Sequence, residues 1–169
     1  MFKIILMIVI LILIFIGLYI YNAYQKMKDL SDNINTSKNK IKELLDKKLD
    51  LMEKLAKNSK DKDLKVMLKK ETNTIFEMED MLYNARWKLE NLINNDKYEP
   101  KDEFKTYFDT LKDIEEEIEG LKDYYNSKVV IYNELFNVKV LNNIYKLLKL
   151  ENQKKFKLRK IESYEILKD

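Results

Sequence analysis

The side chains that most often do chemistry are missing from this chain. It has no histidine and no cysteine. That removes the commonest general base, the commonest metal ligand, thiolate chemistry and disulfides together. Carboxylates, amines and phenols remain. The densest acidic run is Asp113-Ile114-Glu115-Glu116-Glu117-Ile118-Glu119, whose oxygens suit a hard cation. Helical di-metal sites pair Glu with a His three residues on, so a solvated helix face is the simpler reading. The densest basic run is Lys154-Lys155-Phe156-Lys157-Leu158-Arg159-Lys160. It could meet anionic lipid or nucleic acid, although a solubilising tail explains it as well. Arg86, beside Trp87, is expected to form an ion pair across the fold. There is no glycine-rich phosphate loop and no nucleophile motif. The residues therefore point to no catalytic group, no cofactor and no metal, and the chain reads as a non-enzyme.

A subtler constellation is the pair Tyr-Asn, which recurs at Tyr21-Asn22, Tyr83-Asn84, Tyr125-Asn126 and Tyr132-Asn133. The last two pairs are one heptad apart and stack on one helix face. A tyrosine ring buries area while its hydroxyl seeks a partner, and an Asn beside a seam fixes register. Two readings stand: a binding face, or register-setting residues inside a bundle.

These residues must be positioned by helices. Two glycines and one proline in 169 residues leave too little punctuation for strands and tight turns. Charged residues make up 36% of the chain, yet the net charge is only +3. A nucleic-acid binder would show a larger, clustered excess, so no nucleic-acid partner is expected.

Ile4 to Ile20 is an unbroken apolar run, about long enough to cross ~30 Å of hydrocarbon. Tyr19, Tyr21 and Tyr24 follow as an interfacial group. A signal peptide would have a shorter apolar core and a small-residue cleavage site, and Tyr21-Asn22-Ala23-Tyr24 is not one. The expected organisation is an anchor over 1–21, a helical bundle over 22–156 and a polar tail over 157–169. Lys26, Lys28, Lys38 and Lys40 outnumber Lys3, so the positive-inside rule places the soluble domain in the cytoplasm.

Past the anchor, a 3-4 apolar repeat runs through Met27, Leu30, Ile34, Ser37, Ile41, Leu44, Lys48, Leu51 and Leu55, broken at Ser37 and Lys48. A second stripe runs Leu64, Leu68, Glu71, Ile75, Met78, Leu82, Ala85, Leu89 and Leu92. A third runs Phe104, Tyr107, Leu111, Ile114, Ile118, Leu121 and Tyr125, then shifts to Val129, Tyr132 and Phe136. Val138 to Leu150 suggests a short last helix, and the end from Lys154 onward reads as loosely held. The fold class is all-α: a transmembrane helix continuing into an antiparallel bundle of three long helices, plus a short C-terminal helix. Up-down-up threading would return the Asn94–Pro100 loop to the bilayer and start the C-terminal segment at the far end.

The segment Ile41 to Leu55, IKELLDKKLDLMEKL, resembles the LemA family's I-x-x-x-L-x-R-R-x-D-L-x-x-x-L, with Lys47, Lys48, Asp50 and Leu51 at its characteristic positions. Phe104, Leu111, Glu115, Ile118, Lys122, Tyr125, Asn126, Val129, Tyr132, Asn133 and Phe156 also fall at the family's spacing. YYNSKVVIYN resembles its Y-N-x-x-V-x-x-Y-N signature. The chain departs from the family at Lys38, Glu53 and Lys139-Val140, where Trp, Pro and Phe-Pro are usual. The resemblance implies an N-terminal anchor, a short extracytoplasmic N-terminus and a helical-bundle domain, and it carries over no catalytic residue. The function expected is that of a scaffold in a bacterial cell membrane, crossed once, binding an unidentified protein partner or self-associating. An extracytoplasmic coiled coil of envelope architecture, or a metal-dependent regulator using the acidic face, are the alternatives.

Overall fold

Helix α1 runs unbroken over Phe2–Lys57. Its length, about 84 Å at 1.5 Å per residue, needs a stretch free of proline, and this one is. The structure is a computed structural model that describes residues 2–57, 59, 61–95, 102–138, 141–142, 145–146 and 150–159. Within α1, an 18-residue stretch near the N-terminus has a mean hydropathy of 3.2 and no buried residue. By length and composition, α1 is the one described helix able to cross a membrane, a test that a signal sequence also passes. Beyond this stretch the expected stripe is buried at every position from Met27 to Leu55, with Ser37 and Lys48 included.

The expected second long helix is two helices. α2 spans Lys62–Leu68 and α3 spans Ile75–Asn94. Asp61 caps α2, its carboxylate accepting from the Leu64 amide at 2.7 Å, and the Ser59 hydroxyl accepts from the Asp61 amide at 3.0 Å. The break at Glu71 has a local cause. Thr74 caps α3 by accepting from the Glu77 amide at 3.2 Å, while the Glu77 carboxylate accepts from the Asn73 amide at 2.9 Å. This is a variant of the reciprocal capping box, and it starts a new helix where the stripe alone implied continuity.

Helix α4 spans Asp102–Phe136. Its buried seam is Phe104, Phe108, Leu111, Glu115, Ile118, Lys122, Tyr125, Val129, Tyr132 and Phe136. That is one unshifted 4-3 repeat, and Tyr107, Ile114 and Leu121 lie only at its margin. Glu115 and Lys122 hold seam positions that an apolar pattern passes over. Of the expected last helix, Leu141, Asn142, Tyr145 and Lys146 are helical. The described residues contain helices and no strand.

The chain forms two compact units. One holds Met1–Thr36 and Tyr124–Lys155; the other holds Ser37–Asp123 and Phe156–Asp169. In the second unit, Lys48 pairs with Glu115 and Glu79 with Lys122. Arg86 also meets Glu115, and Lys38 sits over the Phe76 ring, 5.9 Å from its centre. Here α4 opposes both α1 and α3, and α3 runs in the direction of α1. Within this unit the expected up-down-up threading is corrected: α2 and the loop before Ile75 make the return, so α3 runs in the same direction as the α1 residues beside it. The Asp96–Lys101 part of the loop lies outside the described residues. The first unit brings the segment after α4 together with the Met1–Thr36 part of α1, and Tyr145 stacks on Phe136 at 6.2 Å between ring centres. The segment after α4 therefore sits in the unit that holds the apolar stretch, opposite to the expected far-end placement.

The looseness expected from Lys154 onward is corrected for residues 154–159. Residues 151–159 form a strap without helix or strand, the part up to Lys155 belonging to the first unit and the part from Phe156 to the second. Residues 160–169 lie outside the described residues.

Candidate functional site

Glu115 reaches the interior of the second unit because α4 carries it on the seam, between Leu111 and Ile118. Its carboxylate pairs with Lys48 of α1 at 2.7 Å and with Arg86 of α3 at 3.5 Å. These side chains are only 7%, 10% and 7% exposed. Arg86 also pairs with Glu90, one turn on, at 2.8 Å, and its guanidinium lies 4.5 Å from the Phe108 ring centre. Two seam steps along α4, Lys122 is fully buried, with Glu79 at 3.0 Å and Glu119 at 2.6 Å. The expectation of a solvated acidic face holds for Glu116 and Glu117, which are exposed, and fails for Glu115. The ion pair expected of Arg86 is present.

The strap completes this cluster. Phe156 is buried and its ring meets Phe76 at 4.6 Å. Lys157 pairs with Asp80 at 3.1 Å, Arg159 pairs with the same carboxylate and with Glu79 at 3.8 Å, and its guanidinium lies 4.0 Å from the Tyr83 ring centre. Burial works against ionising Asp80, but the Lys157 hydrogen bond and the charges of Arg159 and Lys157 outweigh it. They hold this carboxyl below its ordinary value.

These groups surround a pocket of about 60 Å³, lined chiefly by Lys48, Arg86, Trp87, Glu79, Glu115 and Arg159. That volume holds a few waters and is well below the ~300 Å³ of a small-molecule site. Trp87 stands half-exposed at its wall, donating its indole N–H to the Tyr83 hydroxyl at 2.9 Å. Each carboxylate in the wall faces a cation within the cluster. Among the described residues no group of three or more Asp or Glu is placed to hold a metal ion. The arrangement neutralises itself: buried ion pairs favour one register strongly while adding little net stability.

In the first unit the Tyr-Asn signature clamps the strap. Tyr125 donates its hydroxyl to the Lys154 carbonyl at 2.8 Å. Asn133 accepts from the Gln153 amide at 2.8 Å and donates to the Gln153 carbonyl at 2.9 Å. One side-chain amide thus satisfies both backbone groups of a segment that has no regular structure. Tyr125 and Tyr132 are almost wholly buried, and burial pushes both phenols above their ordinary range.

The residues singled out by sequence fall into three groups. Lys48, Leu51, Phe104, Glu115, Ile118, Tyr125, Asn126, Val129, Tyr132 and Phe156 are buried. Asn133 is half-buried on the strap. Lys47 and Asp50 are exposed, and Asp50 pairs with Lys54 at 2.6 Å. Sequence reasoning missed Glu79 and Asp80 as partners of the strap. Their signal was an acidic pair on the α3 stripe side facing a basic segment distant in sequence.

Comparison with protein-family models, curated proteins and solved structures gives no match.

Proposed function

We propose that this chain is a membrane-anchored helical scaffold of LemA-like type, a helical bundle whose surface binds a protein partner or a second copy. The observation that carries this reading is the N-terminal part of α1. From Ile4 to Tyr19 its large apolar side chains are exposed along a helix that continues without a break into the folded domain. Leaving such a face in water is costly, and lipid covers it without further partners. The membrane is that of a bacterial cell, crossed once, with the folded domain in the cytoplasm on the balance of flanking lysines. The polar cluster around Glu115 supports a structural rather than a chemical role, since its charges are spent on one another.

Crosslinking of the full chain in native membranes, with mass analysis of the products, tests the scaffold. A defined higher-mass product is expected. Recovery of monomer alone under efficient crosslinking would sink it. Reporter fusions to the C-terminus, one active only in the cytoplasm and one only outside, test the orientation: signal from the outside reporter would favour an envelope role.

A further inference from the structure

The charge of the chain is unevenly divided between its two units. The unit formed by Met1–Thr36 and Tyr124–Lys155 carries nine lysines and four carboxylates in its sequence, while the rest of the chain is slightly acidic. The bias sharpens toward the anchor. Between Glu134 and Glu151 the sequence has no carboxylate at all. That segment packs in the same unit as the Met1–Thr36 part of α1, with Phe136, Leu141 and Tyr145 buried in the unit. Lys146, next in the chain, is exposed, as are Lys26 and Lys28 on α1. Measured along α1 from Tyr21, Lys26 and Lys28 are about 8 and 11 Å beyond the aromatic group. Asp29 and Asp32 stand farther out on the same helix.

We propose that Lys26, Lys28 and Lys146 form a basic collar that binds anionic lipid headgroups of the membrane in which α1 is anchored. This rests on the reading of α1 as a membrane span. The physical case is one of distance. The field of an anionic leaflet decays over about 8–10 Å at ordinary salt. Lysine heads within that range gain from it, and their flexible stems reach toward the headgroups. Asp29, next to Lys28, stands in nearly the same field, but its short side chain cannot reach back toward the headgroups as a lysine stem can, and the unit as a whole carries nine lysines against four carboxylates. Clusters of lysine immediately beyond a span are recognised by charge, not by headgroup shape, so the collar selects phosphatidylserine and phosphatidylglycerol alike over phosphatidylcholine. Lys146 belongs to the segment after α4 and not to the anchor helix, so the collar joins two segments of this one unit.

The absence of cysteine makes the test clean. Asn22, exposed beside Tyr21, is replaced as Asn22→Cys and labelled with a fluorescent donor in the full chain, reconstituted into phosphatidylcholine vesicles. Trace acceptor-labelled phosphatidylserine or phosphatidylcholine then reports which lipid gathers at the label. The expected result is enrichment of phosphatidylserine by about fivefold or more, each lysine contributing up to about that factor. It should collapse toward unity in about 1 M salt, where screening acts within about 3 Å, and in the Lys26→Gln, Lys28→Gln, Lys146→Gln variant. Equal transfer from both lipids, with the chain resisting alkaline extraction, would overturn the collar and leave the anchor standing. Release of the chain by alkaline extraction would overturn both. Enrichment that persists in the triple variant would also overturn the collar.

Discussion

Replacing Glu115 by Gln keeps the shape of the side chain and removes its charge. The change strands Lys48, whose side chain is 10% exposed and whose partner among the described residues is Glu115 at 2.7 Å. Arg86 is less affected, because Glu90 remains at 2.8 Å. Breaking one partner out of a buried pair costs about 3–5 kcal/mol, and the Gln oxygen can still accept one hydrogen bond, so about 3 kcal/mol is expected. At roughly 2–4 °C per kcal/mol for a chain of this size, Tm falls by about 6–12 °C. The pair removed as a whole, Lys48→Met with Glu115→Leu, should be near neutral or stabilising, because the desolvation cost goes with the charges. The assay is urea unfolding of the full chain in detergent. It is followed by fluorescence of the sole tryptophan, Trp87, which stands in the wall of the same pocket. A loss under about 1 kcal/mol for Glu115→Gln would refute the argument, and so would a double variant as unstable as the single one.

Asn133→Ala should cost about 1–3 kcal/mol locally, by stripping both backbone partners from Gln153; faster hydrogen exchange at the Gln153 amide, with the rest of α4 unchanged, checks it. Asp80 has a depressed carboxyl in the folded chain, so its contribution is present above its ordinary pKa of 3.8 and is lost as pH falls through the lower folded value. Pepsin cleavage near Phe156 should therefore accelerate below pH 3.8, and Asp80→Asn should abolish that pH dependence. Thr74→Ala should cost about 1 kcal/mol by uncapping α3; an unchanged unfolding midpoint would show that the cap does not carry the start of the helix.

The parts of this fold that follow simple periodicity were legible. The α1 stripe is buried at each position read from sequence, and even Ser37 and Lys48, which interrupt its apolar character, keep its geometry. The same logic misplaced the α4 seam. A pattern that counts only apolar residues steps from Leu111 to Ile114, whereas the folded chain steps to Glu115 because Lys48 and Arg86 neutralise it there. Lys122 is the companion case. The split of α2 from α3 had a signal that the stripe obscured: Thr74 followed three residues later by Glu77 is a helix start. The strap had almost none. Its hold on Tyr125 and Asn133 runs through its own backbone, and backbone groups are identical in every sequence. The Tyr-Asn pairs were visible as a motif, but what they grip was not.

The proposed anchoring of this chain in a bilayer rests on the exposed apolar face of the N-terminal part of α1. It is tested most directly by alkaline extraction of membranes from cells expressing the full chain, with the intact mass measured in each fraction, beside a form beginning at Asn22. The expected result is the full chain in the membrane pellet at a mass of 20.5 kDa, and the shortened form in the supernatant. A supernatant chain reduced by the mass of the apolar stretch would contradict it, and would identify that stretch as a removed leader.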